Sequence, residues 1–121
     1  MVPLYGLYIF VVDDNPDLLA LATDVLRYYR ARPLTACSGR DALTVFRREQ
    51  DTISAVLLDV YLADRNGIEV AKLMRSINPR IPIVIMTGSV SNVPIDMPVL
   101  RKPFTPSDMV KILAEAIVNH R

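Results

Sequence analysis

Tyr8-Ile9-Phe10-Val11-Val12 runs straight into Asp13-Asp14-Asn15, an apolar stretch that stops on two carboxylates. Three more stretches repeat the arrangement. Ala55-Val56-Leu57-Leu58 closes on Asp59; Ile81 to Met86, with Pro82 near its start, is followed by Thr87; and Pro98-Val99-Leu100-Arg101 precedes Lys102. Near-continuous Val, Ile and Leu is the pattern of strands buried on both faces, which points to a parallel sheet covered by helices. Ligands of open parallel sheets sit outside the carboxyl ends of the strands, where all five polar residues would gather.

Helix patterns fill the intervals. From Pro16, the positions Leu18, Leu19, Ala22, Val25, Leu26 and Tyr29 keep a helical rhythm, with Asp14 or Asn15 as cap and Pro16 in the first turn. Pro33 to Cys37 reads as a weaker second strand, and a helix carrying Ala42, Leu43 and Phe46 inward follows Ser38-Gly39. After the turn at Asn66-Gly67, Val70, Ala71, Met74 and Ile77 mark a third helix, stopped by Asn78-Pro79. Thr105 caps the last helix, Pro106 starts it, Asp108 completes a capping box, and Met109, Ile112, Leu113, Ala116 and Ile117 form its inner stripe. Right-handed crossovers wind this βα string into a flavodoxin-like, doubly wound five-stranded parallel sheet of order 2-1-3-4-5, with helices on both faces.

With 121 residues, 51% of them hydrophobic and 22% charged, the chain suits one domain, residues 1–121, built on one sizeable core. A formal net charge of +1 gives no field for nucleic acid, so no direct nucleic-acid binding is expected, and the basic cluster Arg27, Arg30 and Arg32 near Tyr28 and Tyr29 reads as a solvated helix end. The single cysteine, Cys37, can form no internal disulfide and has no partners at metal-ligand spacing. No run reaches the ~18 apolar residues of a membrane span, and no signal peptide is evident. A cytoplasmic protein without a membrane partner, and a monomer, is expected.

In the 2-1-3-4-5 order strands one and three are neighbours, which brings Asp13, Asp14 and Asp59 into one cleft. Each alone has an ordinary explanation, since Asp caps helices and opens turns. Three carboxylates together are unfavourable unless a cation or proton neutralises them, and oxygen-only ligands favour a hard ion, Mg²⁺ where phosphate chemistry follows.

These stretches together resemble the receiver domains of two-component response regulators over almost the whole chain. The matching segments are Ile9 to Asn15, Val56-Leu57-Leu58-Asp59-Val60 with Gly67 eight residues past the Asp, Ile83-Val84-Ile85-Met86-Thr87-Gly88, and Arg101-Lys102-Pro103-Phe104. The resemblance implies that Asp59 is the phosphoacceptor. It further implies that Asp13, Asp14, Asp59 and the backbone carbonyl of Tyr61 hold Mg²⁺, and that Thr87 and Lys102 bind phosphoryl oxygens. The donor would be a histidine kinase or a histidine phosphotransfer protein. Such a domain is no enzyme in the usual sense, catalysing only its own phosphoryl transfer and slow dephosphorylation.

Departures from the family are as informative. Only fourteen residues, Gly88 to Arg101, separate Thr87 from Lys102, barely the ~10–12 that a crossover with its helix requires. Pro94 and Pro98 remove further donors, so the fourth helix is expected to be absent, or at most two turns near Ser89 to Val93. Val99 stands where most receivers carry a switching Tyr or Phe, and Ala63 replaces a common Pro, which should loosen the loop after the phosphoacceptor.

Other functions fit less well. A haloacid-dehalogenase-type phosphotransferase needs a second Asp two residues after its nucleophile, where this chain has Tyr61 after Asp59 and Asn15 after Asp13. A dinucleotide-binding domain needs a Gly-rich turn after strand one. A receiver-like interaction module that never uses phosphate is the remaining alternative, and it gives no chemical reason for both metal carboxylates and the lysine. His120, next to the last residue, reads as a tail residue and not as a phosphodonor.

Overall fold

The computed structural model describes residues 4–89, 93–94 and 96–119. Its elements run β1 (Tyr8–Val12), α1 (Pro16–Tyr28), β2 (Arg32–Ala36), α2 (Gly39–Glu49), β3 (Ile53–Asp59), α3 (Gly67–Ile77), β4 (Ile83–Thr87), β5 (Val99–Arg101) and α4 (Pro106–Asn119). All neighbouring strands pair in parallel, in the order β2-β1-β3-β4-β5. This is the flavodoxin-like sheet expected from the apolar runs.

Because side chains alternate across a strand, each run feeds two cores. Phe10, Val12, Val56, Leu58, Ile83 and Ile85 pack against Ala42, Leu43 and Phe46 of α2 and Val70, Ala71 and Met74 of α3. Ile9, Val11, Ala55, Leu57, Val84 and Met86 pack against Ala22, Val25 and Leu26 of α1 and Met109, Val110 and Leu113 of α4. In the last helix Val110 is fully committed to the core, whereas Ile112 and Ile117 are only partly buried.

Strand limits move slightly from the sequence reading. β2 starts at Arg32 and stops before Cys37, which is exposed and free. β3 extends back to Ile53 and includes Asp59, and β4 starts at Ile83, since Pro82 has no N–H for the ladder; its carbonyl still accepts from Val56 N at 2.9 Å. The helix starts follow their capping chemistry. Asn15 accepts from the amides of Asp17 and Leu18, Asn66 from Ile68, and Thr105 and Asp108 exchange bonds of 3.1 Å each as a capping box.

No helix joins β4 to β5 among the described residues. The expected short turn near Ser89 to Val93 falls mainly on residues 90–92, and His120 likewise lies outside the described residues. Where a helix would cover the sheet, Met97 is buried in the α2/α3 core with Val93 packed against it. Arg75, in the last turn of α3, fastens this connection: its Nε donates to the Ile81 carbonyl and its Nη1 to Asp96 Oδ2, both at 2.7 Å. At the opposite edge Arg27, Arg30 and Arg32 are exposed, with the Arg32 guanidinium 5.5 Å from the centre of the Tyr8 ring.

Candidate functional site

At the carboxyl edge, β1 delivers Asp13 and Asp14, β3 delivers Asp59, β4 delivers Thr87, and β5 leads into Lys102. Asp13 and Asp59 are buried, at 1% and 5% exposure, while Asp14 is exposed. Asp13 is fixed at both ends: its amide donates to the Ala36 carbonyl of β2 at 3.2 Å, and its Oδ1 accepts from Asn15 N at 2.8 Å. One carboxylate oxygen from each of Asp13, Asp14 and Asp59 lies within 4.8 Å of the others.

Lys102 answers this charge. Its Nζ donates to Asp13 Oδ2 at 3.0 Å and to Asp59 Oδ1 at 3.2 Å. Burial, reinforced by the neighbouring charge of Asp13, pushes the Asp59 carboxyl above its ordinary range, against the pull of Lys102. Burial alone would lower the Lys102 ammonium, yet the hydrogen bond to Asp13 and the charges of Asp59 and Asp13 hold it above its usual value. The site is therefore a buried carboxylate whose repulsion with its acidic neighbours is only partly cancelled by one cation. Its donors are all oxygen, two buried and one exposed, a set that suits a small hard metal ion.

Thr87 is fully buried at the end of β4, but its hydroxyl is occupied. It donates to the Ser89 carbonyl at 2.8 Å and accepts from Ser89 N at 3.1 Å, forming a local turn. The neighbouring strand follows it, since Lys102 N donates to the Thr87 carbonyl at 3.0 Å. Tyr61 lies in the loop after β3, 64% exposed, forming an isolated antiparallel bridge with Asn66.

That loop is closed by Gly67, whose amide donates to the Val60 carbonyl at 2.6 Å. A Cβ on Gly67 would collide with the Asp59 carbonyl oxygen and lie 2.8 Å from Val60 Cα, so only glycine lets α3 start this close to the Asp59 backbone. Gly67→Ala should cost about 1–3 kcal/mol by overpacking. It should also displace Asp59, which a denaturant titration and a phosphorylation assay on the same sample would both register.

Sequence reasoning missed two contributors. Ser89 holds Thr87 only through its backbone, which leaves no trace in residue identity. Asp64, five residues past Asp59, accepts from Gly39 N at 2.8 Å and Arg40 N at 3.0 Å across 25 and 24 residues of chain. Those two amides hold its carboxyl below the usual range although it is exposed.

The family model for the response regulator receiver domain matches residues 9–114. The chain belongs to this family. Among curated relatives of this receiver, the DNA-binding response regulator MtrA of Mycolicibacterium smegmatis is 33% identical over 109 residues, covering 84% of this chain and 46% of that protein. The transcriptional regulatory protein ZraR of Salmonella typhimurium is 38% identical over 80 residues, covering 66% of this chain and 18% of that protein. The receiver thus spans less than half the length of either. A response regulator receiver protein from Sinorhizobium medicae superposes with a TM-score of 0.86 at 24% identity, covering 96% of this chain and 98% of its own. A CheY-like receiver domain from Methanospirillum hungatei gives 0.86 at 19% identity, covering 95% and 96%. At these identities the superpositions speak for the fold. Receiver domains are signalling modules of two-component systems and not conventional enzymes.

Proposed function

We propose that Asp59 accepts a phosphoryl group from a histidine kinase or a histidine phosphotransfer protein, and that Asp13, Asp14, Asp59 and the Tyr61 carbonyl hold the Mg²⁺ required for it. The observation that carries this reading is the buried Asp59 carboxylate held between Asp13, Asp14 and the Lys102 ammonium. When bound, Mg²⁺ would supply positive charge that neutralises the repulsion between Asp59 and the incoming phosphate.

The residues then act as follows. An Asp59 oxygen attacks phosphorus in line, the N–P bond of the phosphohistidine breaks, its electron pair returns to the imidazole, which takes a proton from water, and a mixed anhydride remains on Asp59. Lys102, already within reach of Asp59 Oδ1, pairs with a phosphoryl oxygen as negative charge spreads there. Thr87 gives up its two bonds to Ser89 and turns its hydroxyl to another phosphoryl oxygen. The start of the β4–β5 connection is thereby released from its present turn, and this is the signal. Beside Lys102, Leu18, Leu21, Pro103 and Phe104 line a groove of about 370 Å³ with Leu21 half exposed, a seat for an apolar helix face of the donor.

Incubation with candidate phosphodonors and Mg²⁺, followed by peptide mass analysis, tests the reading. One added phosphoryl group on Asp59 is expected; labelling elsewhere, or none from any histidine or small-molecule donor, overturns it. Mg²⁺ should also stabilise the protein by binding the native state, by about 1.4 kcal/mol at ten times its dissociation constant, and so raise the melting temperature. Asp14→Ala should erase that gain, and an undiminished shift would place the ion elsewhere.

A further inference from the structure

The loop between β3 and α3 carries Tyr61, and Ala63 deprives it of a ring that would stiffen it. It is nevertheless tied down from outside. The first turn of α2 exposes three amides that its own helix cannot satisfy. Ser38 Oγ accepts from Asp41 N at 3.0 Å, while the other two, Gly39 N and Arg40 N, point at the two oxygens of Asp64. Contact at this junction is close. A Cβ on Gly39 would lie 3.0 Å from Arg65 Cβ and 3.1 Å from Val70 Cγ2, so the α2 start is seated directly against the loop.

Within the loop the constraint runs toward the site. Asp64 lies between Tyr61 and Asn66, which bridge each other, and the Gly67 amide returns to Val60, the residue after Asp59. We propose that Asp64 is a positioning residue: by fastening the β3–α3 loop to the first two amides of α2, it fixes the backbone whose Tyr61 carbonyl would help to hold the metal. This rests on the phosphoacceptor reading of Asp59. The opposing view is that Asp64 merely caps α2 and serves only that helix's stability.

Ser38 separates the two views, because its hydroxyl caps the same helix turn through Asp41 N and not through a hydrogen bond to the loop. Asp64→Ala and Ser38→Ala should each lower the melting temperature by a few degrees. Only Asp64→Ala should speed hydrogen exchange of the amides from Val60 to Gly67 and weaken Mg²⁺ binding, measured by calorimetry, about tenfold, the low end of the loss seen when outer supports of a metal site are removed. Asp64→Asn, which keeps one acceptor oxygen, should fall between Asp64→Ala and the parent. Equal behaviour of the Asp64→Ala and Ser38→Ala proteins would overturn the proposal, as would a loosened loop with unchanged Mg²⁺ affinity. A parent chain that takes up neither Mg²⁺ nor phosphoryl groups, while Asp64→Ala still loosens residues 60–67, would sink the phosphoacceptor reading and leave the fastening of the loop standing.

Discussion

Lys102→Ala should lower the stability of the metal-free protein at neutral pH by about 3 kcal/mol, the low end for removing one partner of a buried ion pair, since the Lys102 side chain is 29% exposed. For a domain of this size that is a fall of roughly 10 °C in melting temperature. Asp13 and Asp59 would then face each other and Asp14 with no internal cation. Added Mg²⁺ should recover more stability in this variant than in the parent, because the ion would no longer share the carboxylates with an ammonium. Phosphorylation should still fall well below the parent's rate. A calorimetric scan with and without Mg²⁺ decides it: unchanged melting in the metal-free variant would mean that the contacts at 3.0 and 3.2 Å carry no net energy. The lysine's own titration gives a check of opposite range. Its raised folded value means that its stabilisation is complete below its ordinary value of 10.5 and is lost as pH rises through the folded one.

Asp59→Asn should reduce phosphoryl incorporation to background while raising the melting temperature of the metal-free protein by a few degrees. The amide has the same shape and removes the charge that burial and Asp13 disfavour. The sign follows from linkage. Below pH 3.8 the carboxyl is protonated in folded and unfolded chains alike and costs nothing; above its raised folded value both forms are ionised and the native state bears the whole penalty. The stability advantage of Asp59→Asn over the parent should therefore be absent near pH 3, grow as pH rises from 3.8 to the folded value, and level off above it. Asp64, held low by the α2 amides, works the other way, its contribution being present above pH 3.8 and lost as pH falls through its folded value. Comparing variant with parent at each pH isolates Asp59 from this background. An advantage that is flat with pH would contradict the electrostatic origin, and a variant that unfolds without cooperativity would make Asp59 a structural residue.

The sheet was legible because runs such as Val56-Leu57-Leu58 are buried on both faces and end on polar residues, two signals that agree. Asp13, Asp14, Asp59 and Lys102 were legible as a cluster because strand order alone brings them together. What sequence could not supply was direction. Nothing in the identity of Thr87 tells that its hydroxyl bonds the Ser89 backbone and not the cleft, and Asp64 and Gly39 come together only because α2 and α3 pack side by side. The boundaries missed at Ile53 and Ile83 have a similar cause: Ser54 inside a strand and Pro82 before one are tolerated or refused by backbone pairing, which depends on the neighbouring strand.

The sheet also divides the interior into two compartments that share no side chain among the described residues, α2 and α3 over one, α1 and α4 over the other. Substitutions on opposite sides of such a wall, far apart and without common partners, add their energies nearly independently. Under the proposed function, Leu18 and Leu21 on the α1 side can therefore diverge with the phosphodonor, while Met97 and Val93 on the other side diverge with a reader of the β4–β5 connection. A lineage could change who speaks to this domain without rewriting what it says.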